Sequence, residues 1–300
     1  MSIKNSNSAH TDCKLCGSLN VKKILTACNI HGRHILNPQD NFGVFRCGDC
    51  EVTFIADVLT NPDYYAKYYP PDYYDDGIKS GLIKNLINFA SSLSVKIQER
   101  RILRNFVRFR KDKLKILDIG CGSGVFLDNI SDDRFDKYGI EINPQGYRIC
   151  KEKRIKTYNQ ELKSIDFGDS TFDVITLWHV IEHIDKPYDV MATIKRILKN
   201  DGILVIATPN TSSLGFKYGQ NLWFHLDAPR HLMLYNEKSL GYLVDKAGFA
   251  VVLNKNNYYD FVLDLFWSVR ESLARYFIYP LYPFFKFFDR ETVLLILRNK

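Results

Sequence analysis

Four of the seven cysteines stand in two C-x-x-C pairs, Cys13-Lys14-Leu15-Cys16 and Cys47-Gly48-Asp49-Cys50. Each pair can turn two thiolate sulfurs toward one ion, and four sulfurs close a tetrahedral zinc shell. A closed shell keeps no position for a substrate, so the expected Zn2+ is structural. A segment of about 50 residues struggles to build its own core, and the metal would supply the missing folding free energy. Cys28, His31 and His34 lie between the pairs; Cys28 is expected to pack rather than ligate. The second knuckle carries Glu51 where such ribbons often carry Gly.

A second group of residues could hold a nucleotide-like ligand. The apolar run Leu114–Ile119 ends in Gly120-Cys121-Gly122-Ser123-Gly124, and an apolar stripe at helical spacing follows (Val125, Phe126, Ile130). That pattern reads as strand, tight turn and helix. Glycine at 120, 122 and 124 lets the backbone bend and lets a ligand lie against the main chain. The free N–H groups of the helix start near Ser123 or Gly124 would face that ligand. Asp118 precedes the first glycine by two, and Glu141 closes the next apolar run, Tyr138-Gly139-Ile140. An acid at the end of a second strand can accept both hydroxyls of a ribose.

Asp118-Ile119-Gly120-Cys121-Gly122-Ser123-Gly124 followed by Gly139-Ile140-Glu141 resembles the first two motifs of class I S-adenosylmethionine (SAM)-dependent methyltransferases. The likeness continues through Phe172–Ile184, Gly202–Asn210 and Pro229-Arg230-His231, in an order similar to the ubiquinone-methyltransferase-like subgroup. It covers roughly residues 115–257. The resemblance implies an α/β fold: a seven-stranded Rossmann-like sheet with an antiparallel last strand, here joined to a small N-terminal zinc-ribbon module. It implies that SAM lies across the turn. Asp118, Gly120, Cys121, Gly122 and Gly124 would hold the methionine end and Glu141 the ribose. Asn159 or Gln160 would reach the adenine, where the commoner form carries an acid.

Parallel sheets place ligands at the carboxyl ends of their strands. The run Phe172–Leu177 ends at Trp178-His179, which puts His179 beside the cofactor and the methyl group. Glu182 and His183 are expected to cap and pack the next helix, with a divalent-metal or substrate role, which the resemblance also suggests, as the alternative. A long loop, 211–235, follows the strand at 203–207 and contains Trp223, His225, Asp227, Arg230 and His231. Loops of this length inside a compact domain are usually functional, and His231 is the second candidate for contacting substrate. A hydroxyl acceptor is helped by a base, and a neutral imidazole suits that task, so His179 and His231 are the catalytic candidates.

The elements that must position these groups divide the chain into three parts. Residues 1–60 form the ribbon, 61–113 a Tyr-rich lid and helical cap, and 114–300 the catalytic domain, with an apolar aromatic insertion at about 258–289. Strands are expected at 114–119, 137–141, 155–158, 172–177, 203–207, 249–254 and 292–297. A helix bearing Val190, Ile194, Ile197 and Leu198 is expected to stop at a left-handed Gly202.

Composition narrows the function classes. With 46% apolar and 25% charged residues, the 300-residue chain is globular rather than disordered. The start, Met1–Ser8, is polar, and no apolar run reaches the roughly 18 residues of a spanning helix, so a cytoplasmic location is expected. The insertion at 258–289 could rest on the inner face of a membrane or form a homodimer contact. Residues 96–115 carry nine Lys/Arg against two acids, an excess equal to the net +7 of the whole chain. A solvated helix face is the commoner meaning, and RNA the alternative. Strand 172–177 leads into Trp-His-Val rather than Asn/Asp-Pro-Pro-Tyr/Phe, which argues against methylation of exocyclic amines. The expected acceptor is a saccharide or another small hydroxylated molecule, with an RNA methyltransferase and a non-catalytic SAM-binding scaffold as alternatives.

Overall fold

The computed structural model describes residues 11–28, 41–56, 58, 60–69, 103, 106, 112–254, 268–269, 273, 275–278, 280–281 and 291–300. The expected helical cap at 78–110 apart from 103 and 106, most of the basic stretch and most of 258–289 fall outside them, as do His31 and His34.

Seven strands make the main sheet: β4 (Leu114–Ile119), β5 (Phe135–Ile140), β6 (Lys156–Tyr158), β7 (Phe172–Trp178), β8 (Leu198–Pro209), β10 (Phe249–Asn254) and β11 (Thr292–Asn299). Their order is β10-β11-β8-β7-β4-β5-β6. The strands from β8 to β6 run parallel, and β11 lies antiparallel between β8 and β10. The last strand is therefore antiparallel, as expected. Ile116, Leu117, Val174, Ile175, Leu177, Leu204 and Ile206 are fully buried. They come from apolar runs that suit strands covered on both faces. Asp173 interrupts that pattern but is paired: its carboxylate accepts from the Lys115 N–H at 3.0 Å and from Lys199 Nζ at 2.9 Å.

Among the described residues the flanking helices are short. They are α1 (Pro62–Tyr68), α2 (Val125–Asn129), α3 (Pro144–Glu152), α4 (Pro187–Ile197), α5 (Leu214–Gly219), α6 (Glu237–Lys246) and α7 (Arg275–Ile278). Asn143 caps α3, its side chain accepting from the Gln145 and Gly146 N–H groups. Asn236 and Ser239 form a reciprocal capping box on α6.

One expected boundary is corrected. Helix α4 stops at Ile197, and Gly202 is not its left-handed cap but part of β8. Glycine is required there by close approach: a Cβ would meet the Lys199 carbonyl at 2.9 Å and the Asp173 carbonyl at 3.1 Å.

The N-terminal module adds a second, antiparallel sheet: β1 (Val21–Cys28), β2 (Asn41–Cys47), β3 (Thr53–Ile55) and β9 (Met233–Leu234), in that order. The fourth strand comes from the loop that carries His231. Thr53 pairs with Leu234 and Phe54 with Met233, and the Ile55 N–H donates to the Leu232 carbonyl at 3.0 Å. Cys13, Leu15, Val52 and Phe54 pack in one continuous apolar cluster with Leu177, Ile181 and Tyr235 of the main domain. The two sheets thus share a core. Among the described residues no helix is long and apolar enough to cross a membrane.

Candidate active site

The turn after β4 is built from three left-handed glycines, with φ of 68° at Gly120, 56° at Gly122 and 72° at Gly124. A side chain is strained in that region. At Gly120 there is also no room, since a Cβ would lie 2.6 Å from Val180 Cγ2. The turn and the segment after β7 are therefore in direct contact. Gly124 is the N-cap of helix α2.

Glu141, at the end of β5, is almost fully buried and closes on this turn. Its Oε2 accepts from the Gly122 N–H at 2.8 Å, and its Oε1 from the Asn143 N–H at 2.7 Å. The backbone thus fixes the direction of the carboxylate. Asn159 Nδ2 donates to the carbonyls of Glu141 at 2.7 Å and Ile142 at 2.9 Å, so its amide nitrogen braces the wall of the site. Gln160 is exposed beside it. Asp118 faces into the sheet: it is 2% exposed and accepts from the Thr176 hydroxyl at 2.6 Å. Burial pushes its carboxyl up to about 8, against the pull of the Thr176 bond. Asp118 joins β4 to β7 beneath the turn. These groups fit an adenosyl ligand in two respects: a backbone turn held open by glycine, and an oriented acid at the next strand end.

The other half of the site is a histidine cluster. Among the described residues all four histidines gather here. His179 follows β7 directly, with φ of 54°, an uncommon backbone for a residue with a side chain. Its N–H bonds the Ala207 carbonyl at 2.9 Å, and its ring stacks on His225 with centroids 5.9 Å apart. Its Nδ1 lies 3.4 Å from Glu182 Oε1. Glu182 is fully buried, and its Oε2 accepts from the Thr208 hydroxyl at 3.0 Å. Burial penalises this carboxylate, but His179 beside it and, more weakly, His231 and His183 outweigh that and draw it down to about 2.

His183 and His231 pack edge to face, with centroids 4.6 Å apart. His231 Nδ1 lies 2.7 Å from the His225 carbonyl, and His183 Nδ1 lies 3.0 Å from the Arg230 carbonyl. A carbonyl only accepts, so each Nδ1 carries the proton and each Nε2 keeps its lone pair. This tautomer is inferred from the hydrogen-bond partners. Burial brings His231 down to about 4, so the ring is neutral at physiological pH. Glu182, His183 and His231 also present ligand atoms within 4.8 Å of one another, a second place where a cation's donors converge.

Glu182 and His183 do not cap the next helix, whose start at Pro187 has no side-chain cap. They sit in a short 3-10 turn, Ile181–His183, which has no side-chain cap, and both join the cluster. The bond from His183 to the Arg230 carbonyl, beside His231, spans a 47-residue separation that local spacing does not reveal. Tyr69 was also not singled out within the Tyr-rich stretch; its hydroxyl lies 3.0 Å from His183 Nδ1, and Tyr64 donates to the Pro229 carbonyl at 3.2 Å. Helix α1 thereby packs on the loop bearing His231. Glu291 anchors the other end of that loop by accepting from the Gly215 N–H, the Ser213 hydroxyl and Trp223 Nε1 at 2.8, 3.1 and 2.9 Å.

The four knuckle cysteines converge as their spacing requires. Cys13 and Cys50 sulfurs are 3.6 Å apart, as are those of Cys16 and Cys47, and all four lie within 4.8 Å of one another. Zinc with ~2.3 Å bonds in a tetrahedron needs sulfurs about 3.8 Å apart, so the donor set fits the ion. Glu51 takes φ of 64°, the left-handed position that Gly17 fills at φ 73° in the first knuckle. Its carboxylate accepts from Lys238 Nζ at 2.8 Å and Asn236 Nδ2 at 3.0 Å, tying the knuckle to α6.

Comparison with known proteins agrees with this geometry. A protein of Methanocaldococcus jannaschii named only as uncharacterized protein MJ0638 is 32% identical over 152 residues, 51% of this chain and 62% of that one. The ubiquinone biosynthesis O-methyltransferase of Glaesserella parasuis is 26% identical over 113 residues, 34% of this chain and 48% of that one. The chain thus spans less than two thirds of the length of these curated relatives. The plantazolicin methyltransferase BpumL, solved in complex with SAH, shares the fold with a TM-score of 0.53 at 16% identity, over 79% of this chain and 93% of that one. A family model described as a methyltransferase domain matches residues 94–254, more than half of the chain, which therefore belongs to that family of class I SAM-dependent methyltransferases.

Proposed function

We propose that the enzyme transfers the methyl group of SAM to a hydroxyl oxygen of a saccharide or another small hydroxylated acceptor. The contact between Val180 and Gly120 carries this reading, because it sets the histidine cluster directly against the cofactor turn. Bound SAM supplies a methyl group already activated by its sulfonium. The protein's task is then to place the acceptor in line and to remove its proton; placement alone can contribute roughly 7–11 kcal/mol.

His231 Nε2 is the proposed proton acceptor. Its lone pair is fixed by the Nδ1 bond to the His225 carbonyl, and the carboxylates of Asp227, 3.9 Å from Nε2, and Glu182 stabilise the imidazolium that forms. His179, on the other side of Glu182, is the second candidate. The names of the matched relatives support oxygen as the atom methylated. The exposed Leu273, Tyr276, Phe277 and Leu281, with Arg275 among them, support a membrane-linked acceptor reached from a peripheral position. The four cysteines are proposed to hold a structural Zn2+.

The test is incubation with SAM labelled in the methyl group and fractionated glycan, lipid and RNA pools. Label in glycan or in lipid-linked glycan supports the proposal. Label confined to RNA, or in no pool, overturns it.

A further inference from the structure

Two cysteines outside the ribbon meet at the cofactor turn. Cys121 stands between Gly120 and Gly122, and Cys150 is on α3; their sulfurs are 3.8 Å apart. Cys150 Sγ lies 3.3 Å from the Gly122 carbonyl as well. The two sulfurs fill the space under the turn: a Cβ at Gly124 would lie 2.9 Å from Cys150 Sγ, and a Cβ at Gly139 2.7 Å from Cys121 Sγ. Cys121 is 8% exposed and Cys150 fully buried. A disulfide needs its sulfurs at about 2.05 Å, so bonding here draws Cys121 toward α3 by nearly 2 Å. The adjacent residue is Gly122, whose N–H orients Glu141.

We propose that Cys121 and Cys150 form a reversible disulfide that locks the turn in a shape unable to bind SAM. The inference rests on the turn being the SAM site. With a peroxide as oxidant, two S–H bonds and one O–O bond break and one S–S bond forms. The two sulfurs lose two electrons, the peroxide oxygens gain them, and the two thiol protons leave in two molecules of water. A dithiol such as dithiothreitol reverses the reaction by exchange. The hydrogen bond from Cys121 holds the Cys150 thiol below its ordinary range against the opposing effect of burial, while Cys121 is held above it. Bound SAM covers the turn and is expected to slow the oxidation.

The full-length, zinc-loaded protein is treated with hydrogen peroxide, mapped by mass spectrometry without reduction, and assayed for SAM affinity by calorimetry. The expected result is a peptide pair joined through residues 121 and 150, a loss of SAM affinity of at least tenfold, and recovery with dithiothreitol. Oxidation of the ribbon cysteines is separated by Cys150→Ser, or Cys150→Ala if the serine variant does not fold; either is expected to keep its SAM affinity after the same treatment. Absence of the joined peptides, or equal loss of affinity in the Cys150 variant, overturns the proposal. Failure of the untreated protein to bind SAM overturns the cofactor assignment and the proposed lock together, whereas absent joined peptides with intact SAM binding overturn the lock alone.

Discussion

The Gly122 N–H donates to Glu141 Oε2 at 2.8 Å, joining the first strand's glycine turn to the second strand's terminal acid across 19 residues of sequence. With the Asn143 N–H on the other oxygen, Glu141 is held by two backbone donors. Hydrogen bonds to a charged group contribute about 1.5–3 kcal/mol, so Glu141→Ala is expected to weaken SAM binding roughly 10- to 100-fold. Glu141→Gln should fall between, because its NH2 group cannot accept. Calorimetric affinity equal to the wild type would remove Glu141 from the site.

Gly120 cannot carry a side chain for two reasons, its φ of 68° and the 2.6 Å approach of Val180. Gly120→Ala is expected to cost about 1–2 kcal/mol in backbone strain alone and to displace the histidine segment. Combining it with Val180→Ala should restore space but not the strain, so the melting temperature recovers only in part. Full recovery in the double variant would show that the backbone conformation is not limiting.

His231 and His179 make distinct predictions. Removing a general base typically costs 10²- to 10⁴-fold, so His231→Gln is expected to lower turnover about 100-fold or more with SAM affinity preserved. His179→Asn tests the second candidate without a backbone change, since Asn tolerates the left-handed conformation that His179 adopts at φ 54°. Turnover that survives both changes would leave the cluster as a binding surface alone.

The knuckle cysteines share a core with the catalytic domain, and β3 pairs with the strand that follows His231. Chelation of the proposed zinc, or Cys47→Ser, is therefore expected to lower the melting temperature of the whole chain rather than to release an independent module. Because β9 lies two residues beyond His231, turnover should fall more than SAM affinity. A calorimetric trace in which the catalytic transition is unmoved by chelation would contradict the shared core.

Asp118 gives a pH dependence with a defined sign. Its folded-state carboxyl is raised to about 8 from an ordinary value of 3.8. Between those values the folded state keeps a proton that the unfolded chain has released. Its contribution to stability is complete below about pH 4 and is lost as pH rises through about 8. Melting temperature is expected to fall by at least a few degrees from pH 5 to pH 8.5, and Asp118→Asn to flatten that slope. An unchanged slope in the variant would assign the dependence to other groups.

Much of the fold was legible in the residue pattern. The apolar runs at 114–119 and 249–254 give those strands to the residue, because a buried strand needs a continuous apolar run between breakers. Asn143-Pro144 marks the start of α3 for a similarly local reason, a side-chain cap followed by a fixed φ. Gly202 is ambiguous in sequence because glycine marks a helix end and a close strand contact alike, and only the carbonyls of Lys199 and Asp173 distinguish them.

The sequence by itself determined the glycine turn, the acid at the second strand end and the four-thiolate set, since each depends on residue types at short, fixed spacing. The tertiary structure alone decided that the ribbon shares its sheet with β9, that Asp118 turns into the sheet toward Thr176, and that Glu182 and His183 join His179 and His231. Those relationships are made by chain segments far apart in sequence. Their contacts arise from strand order and loop closure, which no local pattern of residues encodes.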